Sequence, residues 1–138
     1  MQSTDERWQT RPGSYDATHT EQLFSSSNVY DIPDLPAVTL GAMPRWLVPY
    51  GQRLRSDIGL SDGAVHFFMD DYRFETVWSR PNKALQHLSK YQTLLTPDFS
   101  IYADYPRALQ IWNVYRNRWC GALWSSLGFT VIPTVSWA

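Results

Sequence analysis

The fold is decided by the stretch Thr93–Ala138, which reads TLLTPDFSIYADYPRALQIWNVYRNRWCGALWSSLGFTVIPTVSWA. It opens with a short apolar strand, Thr93–Leu95, and closes with a second one, Phe129–Val135. Between them, Pro106 suits the first turn of a long helix and Gly128 is a typical residue at the end of one. This pattern predicts a β-α-β unit.

The helix of this unit is predicted to carry one apolar stripe. Asp104 precedes it and is its expected cap. The stripe consists of apolar residues at helical spacing: Ala108, Ile111, Trp112, Tyr115, Trp119 and Leu123. The residues expected to lie away from that stripe are Arg107, Gln110, Asn113, Asn117 and Gly121.

A similar unit precedes this one in the chain. The run Ala64–Met69 is almost wholly apolar, which is typical of a strand buried on both faces. Residues 74–91 follow it with helical spacing, restarted at Pro81, and an earlier strand is expected around Trp46–Val48. Alternating strands and helices predict an α/β fold of consecutive β-α-β units with a parallel sheet. Both a part of a (β/α) barrel-like domain and a small open sheet satisfy this pattern.

Composition limits the class of protein. With 138 residues, 43% hydrophobic and 18% charged, the chain is expected to form a single α/β domain over residues 29–138, preceded by a disordered polar tail over residues 1–28. A net charge of −1 lacks the basic footprint of a nucleic-acid binder. Cys120 is the single cysteine, which excludes an internal disulfide and a cysteine zinc cluster.

The sequence predicts a cytoplasmic protein without a membrane role. No apolar run approaches the length that crosses a bilayer. The N-terminal segment has no basic region followed by an apolar one, so no signal peptide is recognised.

Carboxylates at the ends of the strands are the candidate catalytic residues. Asp70 and Asp71 follow the second strand, and Asp98 follows the third. Ligands of parallel α/β folds bind beyond the carboxyl ends of the strands. These aspartates can therefore form an acid–base pair or hold Mg²⁺ or Mn²⁺ through oxygen ligands. The alternative is structural, because such aspartates often cap helices or form turns.

Further polar side chains at the strand ends are candidate ligand-binding residues. Ser100 follows the third strand, and Thr134, Ser136 and Trp137 end the fourth. His66, which shares a strand face with Phe68 and Asp70, is favoured as a buried, hydrogen-bonded histidine.

Two other positions invite a role but have a simpler explanation. Asn113 and Arg116 can in principle read phosphates, but their helix flank favours solvation or ion pairing. Cys120 lies inside the helix without a histidine implied nearby, so a buried and inert thiol is favoured.

The strings FFMDDYRFETVW, TPDFSIYADYPRALQIWNVYRNRW and GFTVIPTVSW resemble the bacterial and phage family described as domain of unknown function 4417. The likeness covers residues 31–137 and implies a fold and a phage or mobile-element setting, without an assigned reaction. Family members are similar in carrying further sequence after the VIPTVSW-like strand. We therefore expect this domain to be incomplete, or truncated, at its C-terminus.

Two hypotheses of function remain open from the sequence. The first is a metal-dependent enzyme acting on phosphate esters or nucleic acid through the strand-end aspartates. The second is a non-catalytic interaction or replication accessory protein, which would form a homo-oligomer or bind a completing partner chain through an uncovered strand edge.

Overall fold

A computed structural model of the chain describes residues 18–38, 43–51 and 62–135. Its strands are β1 (Trp46–Pro49), β2 (Gly63–His66), β3 (Thr93–Leu95) and β4 (Thr130–Ile132). Its α-helices are α1 (Thr76–Ser79), α2 (Pro81–Leu88) and α3 (Arg107–Ser126), and a 3-10 turn covers Asp71–Arg73.

The four strands form one parallel sheet in the order β1-β2-β3-β4. Strands that follow each other in the chain are thus neighbours in the sheet, and helices connect β2 to β3 and β3 to β4. This arrangement confirms the predicted α/β fold of consecutive β-α-β units.

One face of the sheet carries the main core. Val48, Val65, Leu94 and Val131 form a continuous row across the four strands, since each is paired with the next. All four are buried and pack with residues of the helices, among them Trp124. Because strand side chains alternate between faces, the neighbours of this row point to the opposite face.

Helix α3 packs through a broader face than the predicted stripe, of which Trp119 and Leu123 are buried. Asn113, Asn117 and Gly121 are buried, whereas Ala108 and Trp112 are exposed. A Cβ atom at Gly121 would lie 2.7 Å from Thr96 Cγ2, so glycine lets the helix approach the end of β3. The prediction that Asn113, Asn117 and Gly121 lie away from the packed face is wrong, because these small or hydrogen-bonded polar residues are buried beside Trp119 and Trp124.

The ends of α3 match the prediction on one side only. At the C-terminus, Gly128 has φ +97°, and the Phe129 N–H donates to the Trp124 carbonyl at 3.1 Å. This is the glycine-terminated helix end that the sequence predicts. At the N-terminus, the helix begins after Pro106 without a side-chain cap, so the prediction of a cap at Asp104 is wrong.

The segment before the sheet packs against the helices from residue 18 onward. The imidazole of His19 stacks on Trp119 with ring centroids 4.4 Å apart and contacts Trp78 edge-on. The Trp119 indole N–H donates to the Gln22 carbonyl at 3.0 Å. Residues 18–24 of the predicted tail therefore lie on the helix side of the domain.

Candidate functional site

The carboxyl end of the sheet holds most of the predicted site residues. Asp71 starts the 3-10 turn after β2, and its carboxylate accepts hydrogen bonds from the Ser100 N–H at 3.0 Å and the Ser100 hydroxyl at 2.9 Å. The Ser100 carbonyl in turn accepts from the Asn113 amide at 2.7 Å. The structure thus brings Asp71 and Ser100 together, and it uses their polar atoms to join the loops after β2 and β3.

Asp98 lies beside this pair and is the less constrained carboxylate. Burial and the negative charge of Asp71 raise the pKa of Asp98 above its usual value. No hydrogen bond to the Asp98 carboxylate is formed by the residues that the structure describes. A half-buried carboxylate of raised pKa at a strand end is a candidate for proton transfer or cation binding.

Asp70 is separate from the other two predicted catalytic residues in its environment. Its side chain is exposed, and its carbonyl accepts from the Arg73 N–H at 3.0 Å in the turn. Over residues 18–38, 43–51 and 62–135, no three His, Cys, Asp or Glu side chains come together as a metal centre would require. A catalytic role of Asp70, Asp71 and Asp98 stays a prediction. Of the three, Asp71 and Asp98 interact through their charges.

Thr134 belongs to a second polar group, which we call the threonine cluster: Thr96, Asn117, Arg118 and Thr134. The hydroxyl groups of Thr96 and Thr134 lie 2.9 Å apart, and the Thr134 N–H donates to Thr96 Oγ1 at 2.8 Å. Asn117 donates to the Thr134 hydroxyl at 2.9 Å. These hydrogen bonds connect the end of β4 to the end of β3 and to α3. Ser136 and Trp137, the other predicted ligand-binding residues, lie outside the described residues.

Arg118 completes the threonine cluster at its outer edge. Its guanidinium donates to the Asn117 side-chain oxygen at 2.7 Å and to the Thr134 carbonyl at 3.1 Å. Burial lowers the pKa of Arg118, yet the arginine stays charged at neutral pH. Its two hydrogen bonds extend the contact between α3 and the end of β4.

Arg116, on the other flank of α3, also bonds to neighbouring side chains through its guanidinium. Its guanidinium donates to the Glu75 carboxylate at 3.0 Å and to the Asn113 side-chain oxygen at 2.6 Å, and it covers the Phe99 ring at 3.9 Å from the centroid. This pairing agrees with the structural interpretation of Arg116. The signal that sequence reasoning missed is the spacing of Asn113, Asn117 and Gly121, which places them on one face of a helix.

His66 and Phe68 lie at the same end of the sheet on the face opposite the core row. Their rings stack with centroids 5.3 Å apart and an angle of 22° between the planes. The Phe68 N–H donates to His66 Nδ1 at 3.2 Å, and burial lowers the pKa of His66. Phe68 is 55% exposed, so the prediction of a strand buried on both faces as far as Met69 is wrong, and β2 ends at His66.

Cys120 takes no part in these groups. It is fully buried, its thiol contacts the Val77 carbonyl at 3.6 Å, and burial raises its pKa far above the usual value. The protonated thiol is a poor nucleophile, which agrees with the prediction of an inert cysteine.

Comparison with known proteins places the chain in a family. The family model described as "Domain of unknown function (DUF4417)" matches residues 24–138. The chain belongs to this family. The predicted resemblance is therefore confirmed, and the match includes every residue of the two polar groups described above.

Two phage relatives of this DUF4417 chain are each called "Gene 1 protein". The one from Mycobacterium phage D29 is 48% identical over 133 residues, which are 95% of this chain and 48% of that protein. The one from Mycobacterium phage L5 is 46% identical over 132 residues, which are 95% of this chain and 57% of that protein. The chain thus spans about half the length of these relatives. It is a phage-type α/β protein without an assigned reaction.

No solved structure matches the chain. Among the helices that the structure describes, none has the length and apolar character needed to cross a membrane.

Proposed function

We propose that this chain functions by assembly in the cytoplasm, joining a second α/β body through the edge strands β1 and β4. We propose a second copy of the chain as that body. The observation that carries the proposal is the presence of outward-facing backbone groups on both edges of the sheet, with exposed apolar side chains on the β1 edge.

The outer edge of β1 is accessible. Trp46 and Leu47 are 55% and 58% exposed. The Tyr50 N–H donates to the His66 carbonyl at 3.0 Å. In a parallel ladder, alternate residues direct their backbone groups to the same neighbouring strand. Tyr50 and Val48 therefore face β2, and the N–H and C=O groups of Leu47 face outward.

The outer edge of β4 also has outward-facing backbone groups. The Thr130 N–H donates to the Gln92 carbonyl at 2.9 Å, and the Ile132 carbonyl accepts from the Thr96 N–H at 3.0 Å. Thr130 and Ile132 thus face β3, which leaves the backbone groups of Val131 pointing outward.

Proline limits what can pair with these edges. Pro49 and Pro133 occupy the next outward-facing positions and have no N–H to donate. Within the strand residues Trp46–Pro49 and Thr130–Ile132, each edge therefore offers one outward N–H group, from Leu47 on β1 and from Val131 on β4. Such short edges resist unspecific strand addition and favour one register with one partner.

The length of the phage relatives suggests the size of the second α/β body. The part of the phage D29 protein outside the match is about as long as the match itself. Two copies of this chain would bring eight parallel strands, the number that closes a (β/α) barrel. In such a ring, β4 of one copy would pair with β1 of the other.

Sedimentation velocity over a dilution series tests this proposal. We expect the wild-type chain to form a dimer, and Leu47→Glu to shift it to a monomer because the added charge lies at the pairing edge. Lys83→Glu is the matched control, since Lys83 is exposed on α2 and away from both edges. A wild-type monomer at every concentration, or an unchanged dimer for Leu47→Glu, would contradict the proposal.

A second candidate function is cation-dependent chemistry on a phosphate ester at Asp71 and Asp98. The raised pKa of Asp98 beside Asp71 supports it, because two close carboxylates gain from a shared cation. Mg²⁺ is often held by one or two carboxylates together with substrate phosphates. Asp71 and Asp98 would hold Mg²⁺ or Mn²⁺, and the cation would supply Lewis-acid activation of the ester.

Thermal unfolding with added Mn²⁺ tests this second candidate. Bound cation raises the melting temperature by mass action, and this rise is expected to disappear in Asp98→Asn and to persist in Asp104→Asn, an exposed control. An equal rise in both variants, or none in the wild-type chain, would rule out a cation at Asp98.

A further inference from the structure

We propose that His66 and Phe68 form a binding site for a nucleobase. The site lies just beyond the carboxyl end of β2, one of the two central strands. The helices cover the row of Val65 and Leu94, and His66 lies on the opposite face of the sheet. In parallel α/β folds, this end of the strands is where ligands bind.

Phe68 provides the stacking surface. More than half of its side chain is exposed, although the adjacent Phe67 is 1% exposed. The His66 ring lies against Phe68 at 5.3 Å and nearly parallel to it, which fixes the orientation of the phenyl ring. A flat, oriented and accessible ring is suited to stacking with a planar ligand, as in proteins that bind single-stranded nucleic acids.

His66 provides a directed hydrogen-bond donor. Its Nδ1 accepts the Phe68 N–H, so in the neutral ring the proton is on Nε2. No hydrogen-bond partner of Nε2 is found among the described residues. Burial lowers the pKa of His66, which favours the neutral ring near pH 7, so the ring offers an N–H donor without a positive charge.

A nucleobase is the ligand class that matches both groups. It has a π-face for Phe68 and in-plane nitrogen or carbonyl acceptors for the His66 N–H. Phenylalanine and tryptophan side chains of a protein partner have the π-face but no in-plane acceptor. The base can belong to a free nucleotide or to single-stranded DNA, and the two sources share this chemistry.

Isothermal titration of the whole chain with the four nucleoside 5′-monophosphates and with short single-stranded DNA tests the site. Since stacking on an aromatic ring contributes about 1–3 kcal/mol per base, Phe68→Ala is expected to weaken binding roughly 5- to 150-fold. Phe68→Trp retains the stacking surface and is expected to bind at least as tightly as the wild-type chain. Tyr72→Ala removes another exposed aromatic side chain and serves as the control that leaves binding unchanged.

The outcomes separate the sources and the alternatives. Binding of monophosphates indicates a nucleotide site, and binding of DNA alone indicates a site for single strands. The proposal is overturned if no base binds, if ribose 5-phosphate binds as tightly as the nucleotides, if only N-acetyl aromatic amino acid amides bind, or if Phe68→Ala matches the wild-type chain. Because the titration is read on monomer and dimer alike, its failure is distinct from a failure of the assembly proposal.

Discussion

Phe67 and Phe68 are adjacent in the chain and lie in opposite environments. Phe67 is 1% exposed and contacts Phe74, Trp124 and Tyr50 in the core. Phe68 is 55% exposed and stacks only on His66 among the described aromatic rings. The same residue type thus serves core packing at Phe67 and remains accessible at Phe68, beyond the end of β2.

The polar residues follow the same division. At the carboxyl end of the sheet, the Asp71–Ser100 pair and the threonine cluster are hydrogen-bonded within the fold, and Arg116 is paired with Glu75. By contrast, His66 Nε2 and the outward backbone groups of Leu47 and Val131 have no hydrogen-bond partner among the residues that the structure describes. The hydrogen-bonded residues at the carboxyl end therefore mainly hold the fold, and the less constrained groups are the better candidates for binding.

The largest expected effect is that of Phe67→Ala. Removing a fully buried phenyl ring leaves a cavity among aromatic neighbours and should lower the free energy of unfolding by about 3–5 kcal/mol. Urea denaturation followed by circular dichroism measures this change. A loss of no more than about 0.5 kcal/mol, as expected for a surface site, would show that the helix side is not the tightly packed one.

Asn117→Ala is expected to have the next largest effect. Asn117 is 2% exposed and joins the Thr134 hydroxyl to Arg118, so its loss leaves buried polar partners unsatisfied. We expect a decrease of about 1–3 kcal/mol in the free energy of unfolding. Asn82→Ala, at an exposed position of α2, is the control. Equal effects of the two variants would assign the threonine cluster no structural role.

Asp98→Asn is expected to stabilise the chain at pH 7, by less than about 1 kcal/mol because the carboxylate is partly screened by solvent. The pKa of Asp98 is raised in the folded state, so Asp98 favours folding fully only below its unfolded pKa. That contribution is lost as the pH rises through the folded pKa. The gain from asparagine should therefore shrink in acid, and melting temperatures from pH 3 to pH 7 test this. Destabilisation at pH 7 would contradict the assigned repulsion.

The smallest expected effect on stability is that of Phe68→Ala. An exposed side chain away from the core should change the free energy of unfolding by no more than about 0.5 kcal/mol. The same urea denaturation used for Phe67→Ala gives the value. If Phe68→Ala destabilised the chain as much as Phe67→Ala does, the division between the two faces would not hold.

The order of strands and helices was predictable, because it depends on local patterns. The apolar runs around Val65 and Leu94 indicate buried strands, and Gly128 ends α3 in the expected left-handed conformation. Sequential parallel strands then follow from the alternation of strand and helix. The end of β2 was not predictable from hydrophobicity, since the apolar run continues to Met69 while the chain turns at Phe67.

The packed face of α3 was not predictable from apolar periodicity. Asn113 and Asn117 are buried because their partners Ser100 and Thr134 come from the ends of other elements. Such partners are brought together only by the tertiary fold. The strand-end rule did place Asp71, Asp98, Ser100 and Thr134 at the correct end of the sheet, but it could not tell which of them are already hydrogen-bonded.

Amide hydrogen exchange, followed by NMR over a dilution series, tests directly whether the β1 and β4 edges pair between two copies of the chain. We expect the amides of Val65 and Leu94, in the central strands, to be protected at every concentration. The amides of Leu47 and Val131 should gain protection only as the concentration rises and the edges pair. If Leu47 and Val131 were equally protected at all concentrations, the proposed pairing of the edges would be contradicted.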